Sequence, residues 1–99
     1  MISEIQQRQT EIQDLCRRYG VRKLELFGSA STGNFRSDSD LDFLVEFEPL
    51  PNYSDRYFGL LESLEQLFNR PVDLVVATAI KNPYFQESVE KTKALLYAA

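Results

Sequence analysis

Apolar residues in this chain recur with a helical period in some stretches and a strand period in others, and the changes fall at turn-forming residues. Ser3-Glu4-Ile5-Gln6 reads as a capping box, with Ser3 as N-cap and Gln6 returning to it. A helix is expected from there to about Tyr19, with Ile5, Ile12, Leu15, Cys16 and Tyr19 on one face; that stripe is thin around Arg8 and Gln9, and Gly20 closes the helix. Val21 to Phe27 reads as a first strand, which breaks at Gly28-Ser29 into the polar, turn-rich stretch Ala30 to Ser39. Leu41 to Phe47 is a second strand, ending before Pro49 and Pro51. Asn52 or Ser54 then caps the strongest amphipathic helix, in which Tyr57, Leu60, Leu61, Leu64, Leu67 and Phe68 follow the i, i+3, i+4, i+7 rule up to Asn69-Arg70-Pro71. Val72 to Ala77 is a third strand. Asn82-Pro83 opens a last helix marked by Phe85, Val89, Thr92 and Leu96, with Tyr97 and the final alanines as a tail. The predicted order is α-β-β-α-β-α, an α/β (α+β) fold. It is a small mixed sheet with helices packed on one face, in one domain spanning residues 1–99.

Composition narrows the chemistry. A hydrophobic share of 43% with 12% aromatics is that of a folded domain rather than a disordered one. Acids exceed bases by 15 − 11 = 4 and no basic stripe is present, so extended nucleic-acid binding is not expected. The absence of histidine removes His-based acid–base catalysis and the usual zinc sites. Cys16, the one cysteine, reads as a small buried side chain of the first helix. No apolar run approaches the roughly 20 residues of a membrane span and no signal peptide is visible, so the expected location is cytoplasmic, with no membrane partner.

The candidate chemistry lies in the second strand and its surroundings. Alternate side chains share a face, so Asp40 and Asp42 point the same way, about 7 Å apart along the backbone, while Leu41, Phe43, Val45 and Phe47 take the core face. Two such carboxylates repel each other and are costly to desolvate, and a divalent cation between them relieves both costs. Asp73 is an ionisable residue in an otherwise apolar strand: either a third carboxylate beside them or the partner of Arg70 or Lys81. Glu46 and Glu48 continue the aspartate face but read as solvated strand ends. Gly28 lets the backbone approach a ligand, and Ser29 adds a hydroxyl and an amide where the chain leaves the first strand; a helical turn over Ala30 to Gly33 would add phosphate-binding N–H groups. Phosphate donors and metal carboxylates together suggest metal-assisted chemistry on a nucleotide.

Other readings of these letters fail. Gly28 to Gly33 has the glycine spacing of a P-loop, but Asn34-Phe35 replaces its Lys-Ser/Thr pair. Asp38 to Asp42 opens like an EF-hand, yet Phe43 and Pro49 stand where Gly and Glu are required. No G-x-G-x-x-G is present. What remains beside the nucleotide reading is a polar surface loop whose aspartates face water.

Gly28-Ser29, ten intervening residues and Asp40-Leu41-Asp42 resemble the G-S-x10-D-x-D motif of the minimal nucleotidyltransferases, relatives of DNA polymerase beta. The flanking L-F-G-S, S-D-x-D-L-x-x-L-V and V-D-L-V-V (Val72 to Val76) resemble the same family, over almost the whole chain. One departure is Thr32, where many members have Arg; Arg36 lies nearby in sequence. The resemblance implies the polymerase beta-like core, with Asp40, Asp42 and Asp73 as catalytic ligands of two Mg²⁺ ions and Gly28 and Ser29 holding the phosphates of ATP. It further implies an antitoxin that transfers AMP to a tyrosine of a partner HEPN-domain ribonuclease toxin, in a hetero-oligomer. Two other functions stay open at this point: an antitoxin that only masks its partner, and a transferase acting on small molecules.

Overall fold

The protein is described by a computed structural model covering residues 3–28 and 40–99; Ser29, Thr32 and Arg36 lie outside the described residues. The elements are α1 (Ser3–Gln7), α2 (Gln9–Arg18), β1 (Val21–Phe27), β2 (Leu41–Phe47), α3 (Tyr53–Phe68), β3 (Val72–Val76), a single 3-10 turn (Ala77–Ala79), α4 (Pro83–Thr92) and β4 (Ala94–Ala98). The expected first helix is interrupted at Arg8 (φ −107°, ψ 16°), where the apolar stripe is thinnest. With nothing apolar to bury at that turn, the chain adjusts there, and Ile5, Ile12 and Cys16 still reach the core. Gly20 closes α2 at φ +67° and Asn69 ends α3 at φ +53°, each in the left-handed region that ends helices. Asn52 also takes a positive φ, +63°, and caps α3 through its backbone, its carbonyl accepting from Arg56 N–H. Asn82 caps α4 through its side chain, which accepts from the N–H groups of Tyr84 and Phe85.

The sheet has the order β3-β2-β1-β4. The polar stretch joins β1 to β2 as an antiparallel pair, whereas α3 carries the chain across to lay β3 parallel to β2. The end of the chain departs from its sequence reading. Leu96 does not extend α4: Lys93 turns extended (φ −67°, ψ 143°), and Ala94–Ala98 pairs antiparallel with β1. Thr92 and Leu96 fit a helical period by coincidence. The decisive factor is long-range, because the second edge of β1 offers backbone donors and acceptors that a strand satisfies and a helix cannot.

Helices also cover both faces of the sheet rather than one. On one face Leu24, Leu26, Leu41, Phe43, Val45 and Leu74 form the main core with Ile5, Ile12 and Cys16 of α1 and α2 and with Leu60, Leu64 and Phe68 of α3. On the other, α4 sets Val89 against Phe27 and Leu44, and Phe85 meets Phe27 edge-on with centroids 5.9 Å apart. This second cluster is small, so the same face has room for charge. Glu25 is buried there, with Lys23 Nζ at 3.7 Å and Lys93 Nζ at 3.6 Å.

Two contacts lock the helical side. Arg56 of α3 sends five hydrogen bonds to main-chain carbonyls: Tyr19 and Gly20 after α2, and Glu48, Leu50 and Pro51 after β2. Its guanidinium also lies over the Phe47 ring, 5.3 Å from the centroid. Gly59 of α3 faces the Tyr19 ring so closely that a Cβ there would overlap Cε1 and come within 3.0 Å of Cζ. Glycine in an exposed helix costs about 1 kcal/mol relative to alanine. Here Gly59→Ala should instead destabilise by about 1–2 kcal/mol, because overpacking costs more than propensity returns; urea unfolding of the two proteins measures the sign.

Candidate active site

Strand parity decides which way the aspartates face. Leu41, Phe43 and Val45 are completely buried in the main core, so Asp42 projects from the opposite face. Asp40, exposed and just ahead of β2, precedes it by two residues. Register then brings the other strands in: Asp42 pairs with Phe27 on one side and with Asp73 on the other. Laterally paired residues have Cα atoms about 4.8 Å apart, so the aspartates of β2 and β3 are direct neighbours on one face. The register is pinned where the strands begin, by Leu41 N–H donating to Pro71 C=O at 3.1 Å and by Val72 N–H donating to Glu65 Oε2 at 3.3 Å.

This crowding has an electrostatic cost. Burial, then the charge of Asp73, then that of Asp40 push the Asp42 carboxyl up from its ordinary 3.8 to about 6. Asp73 is exposed, and Arg70, a partner the sequence left open for it, instead pairs with Glu4 at 3.0 Å. Among the described residues no three or more acidic or cysteine side chains already converge as a metal cage. What exists is a line of hard oxygen donors whose charges raise one another's energy, and this donor set fits a hard divalent cation. Glu46 and Glu48 stand at the far end of β2, Glu46 opposite Lys23 in register and Glu48 3.4 Å from Arg22.

Gly28 meets the carboxylates from β1. It adopts φ +76°, and a Cβ on it would lie 2.5 Å from Asp42 Oδ2. Close approach is therefore required first by the Asp42 carboxylate, an origin for this glycine that sequence spacing did not disclose. Ser29 lies outside the described residues. Cys16 is fully buried and its thiol is pushed up to about 12 by burial, against a smaller lowering by Arg17, so it stays an inert core group.

Two residues read from sequence only as helix-face positions touch this site. Tyr57 of α3 donates its hydroxyl to Leu74 C=O at 2.6 Å, tying down edge strand β3 one residue beyond Asp73. Its phenol is raised above the usual range by burial and then by the Asp73 and Tyr53 charges. The clue in the sequence is a tyrosine within a stripe of leucines, whose hydroxyl must find a partner. Thr92 Oγ1 accepts the Gly28 N–H at 3.1 Å. These two residues are 64 positions apart and nothing local links them.

Two outcomes follow from this geometry. Gly28→Ala should destabilise by about 2–3 kcal/mol through the left-handed backbone and the clash with Asp42. The same change in an Asp42→Ala background should cost less, and chemical denaturation of all four proteins gives the coupling. A raised carboxyl in the folded state is stabilising only while protonated, so the contribution of Asp42 is full below about 4 and is lost as pH rises through about 6. In EDTA, Asp42→Asn should therefore melt higher than the parent at pH 8, and the advantage should shrink as pH falls through 6. Adding Mg²⁺ at pH 8 should raise the melting temperature of the parent but not of Asp42→Asn.

Comparison with known proteins places this geometry. The model of the nucleotidyltransferase domain family matches residues 10–96. A Methanocaldococcus jannaschii protein, provisionally named a protein adenylyltransferase, is 38% identical over 90 residues, 83% of this chain and 91% of its own. Protein adenylyltransferase MntA of Thermococcus cleftensis is 41% identical over 69 residues, 70% of this chain and 69% of its own. A solved structure described provisionally as a minimal nucleotidyltransferase superposes with a TM-score of 0.76 at 32% identity, covering 90% of this chain and 89% of that one. The same fold appears in a toxin–antitoxin structure with AMP-PNP, with a TM-score of 0.71 at 24% identity over 92% of this chain and 73% of that one. With the family's domain spanning nearly all of its length and aspartates of two neighbouring strands meeting beside Gly28, this chain belongs to the nucleotidyltransferase domain family.

Proposed function

We propose that this chain transfers AMP from ATP to a hydroxyl, that of a tyrosine, on a HEPN-type ribonuclease partner and thereby acts as the partner's antitoxin. The observation that carries the chemistry is the register of Asp42 against Asp73, with Asp40 two residues before and Gly28 at the adjoining end of β1. The identity of the acceptor is supported by the relatives: proteins of similar length and 38–41% identity bear the name protein adenylyltransferase. A chain of the same fold stands in a complex described as a tri-AMPylated HEPN toxin with its MNT antitoxin.

In this reading Asp40, Asp42 and Asp73 would hold two Mg²⁺ ions, and the Gly28-Ser29 pair would hold the β- and γ-phosphates, Ser29 as donor and Gly28, whose own N–H goes to Thr92, by leaving room for them. The ions, when bound, neutralise the triphosphate and lower the pKa of the attacking hydroxyl. Asp42 on β2 and Asp40 just ahead of it would orient the α-phosphate through those ions. Asp73, on the neighbouring strand, faces the side from which the acceptor comes. The acceptor oxygen bonds to the α-phosphorus and loses its proton to solvent, while the bond from that phosphorus to the bridging oxygen breaks and pyrophosphate departs.

The test is label transfer. Incubated with Mg²⁺ and a purified HEPN partner, the protein should pass label from [α-³²P]ATP and not from [γ-³²P]ATP, and EDTA should abolish it. Asp40→Asn and Asp42→Asn should fold and lose transfer by on the order of a hundredfold or more. Asp73→Asn should slow transfer while leaving Mg²⁺-ATP affinity within a few-fold. Absence of added nucleotide by mass spectrometry, with the partner's ribonuclease fully recovered after the complex is dissociated, would identify a mask and overturn the transferase reading.

A further inference from the structure

We propose that Tyr57 is a positioning residue for Asp73, acting with Glu65 of the same helix to hold the outer edge of β3; this deepens the transferase reading above and rests on it. In that reading Asp73 serves the acceptor, so its place beside Asp42 bears on transfer more than on ATP binding. β3 is an edge strand of the described sheet, with β2 as its neighbour on one side. Along a strand the backbone groups of successive residues turn to opposite sides. Pro71 C=O accepts the Leu41 N–H of β2 at 3.1 Å. The backbone groups of Asp73 and Val75 therefore also face β2, and those of Val72 and Leu74 face outward.

The outward groups on either side of Asp73 are met by side chains of α3. Val72 N–H donates to Glu65 Oε2 at 3.3 Å, and Leu74 C=O accepts from the Tyr57 hydroxyl at 2.6 Å. An acceptor thus stands opposite the N–H and a donor opposite the C=O, the complement that another strand would supply. Tyr57 and Glu65 lie about two turns apart on one helix, so a single rigid element holds the peptides before and after Asp73. That helix is itself fixed, because Leu60, Leu64 and Phe68 are buried in the main core. Leucine or phenylalanine, which fill the rest of its apolar stripe, could pack at position 57 but could not donate. The Tyr57 hydroxyl acts on the sheet edge, and through it on the direction in which Asp73 leaves the strand.

Phenylalanine keeps the ring of Tyr57 and removes only the hydroxyl. With saturating Mg²⁺-ATP and a purified HEPN partner, Tyr57→Phe should slow transfer of label from [α-³²P]ATP about five- to tenfold, the loss of one well-placed hydrogen bond. Mg²⁺-ATP affinity by calorimetry should stay within about twofold of the parent. In an Asp73→Asn background the same substitution should slow the residual transfer by less than about twofold, because the carboxylate it positions is already gone. A merely structural role would slow both backgrounds by the same factor, or weaken ATP binding in step with transfer, and either result overturns the proposal. So does an unchanged rate in Tyr57→Phe. Hydrogen exchange in the metal-free protein reads the strand without the reaction. The Asp73 and Val75 amides should exchange about fivefold faster or more in Tyr57→Phe, and equal rates overturn the proposal. Should Tyr57→Phe fail to fold, Glu65 carries the test, since glutamine keeps an acceptor there and methionine removes it. Glu65→Met should slow transfer and Glu65→Gln should not; equal rates in the two overturn the proposal. A parent protein that transfers no label overturns the transferase reading itself, whereas parental transfer left intact by Tyr57→Phe overturns this proposal alone.

Discussion

The parallel register between β2 and β3 is the constraint on which the rest of the site depends. Because Phe43 pairs with Leu74 inside the main core, Asp42 must pair with Asp73 outside it. A slip of β3 by one residue would carry Asp73 into the apolar layer and bring Leu74 to the opposite face. Burial of that layer thus fixes the positions of groups that contribute nothing to it. Pro71 and Glu65 at the start of the pairing, and Tyr57 on the outer edge of β3, keep the less supported strand in line.

The same face divides its charges by depth and by partner. At one end the aspartates crowd one another and Asp42 holds its proton to about pH 6, a tension that a divalent cation relieves. Further along, Glu25 is as deeply buried as the core yet has two lysines within 4 Å. Compensated charge of that kind is structural, whereas the aspartates have no basic partner among the described residues and sit beside a glycine at positive φ, the combination that suits a cation.

Much of this was legible in the sequence, and the limits are physical. The three strands and the long helix announced themselves by period, and the alternation from Leu41 to Val45 was enough to put Asp42 on the face opposite the core. Proline at 83 after Asn82 correctly marked the start of α4. What local pattern could not carry was anything decided by a partner far along the chain. Leu96 keeps helical spacing but lies in a strand because β1 has an edge to fill. Thr92 looks like one more position on a helix until the fold brings it to Gly28. Gly28 itself was read as room for a ligand, whereas the nearest occupant of that room is a carboxylate of the same chain. A sheet with helices on one side was expected because the second cluster, Phe27, Leu44 and Val89, is too small and too scattered in sequence to stand out.

Arg56 has a bearing on how this domain can diverge. All five of its hydrogen bonds end on main-chain oxygens, so it constrains the path of the chain at Tyr19, Gly20, Glu48, Leu50 and Pro51 through atoms that every amino acid possesses. Side chains at most of those positions can drift without loosening the junction, while the guanidinium cannot, since lysine offers no planar fork to span them. Gly20 is the exception, pressed against Nη1 where a side chain would intrude. The junction between α2, β2 and α3 is thus fixed in geometry yet permissive in composition, and the outward surface built on it can change while the aspartate-bearing end of the sheet stays as it is.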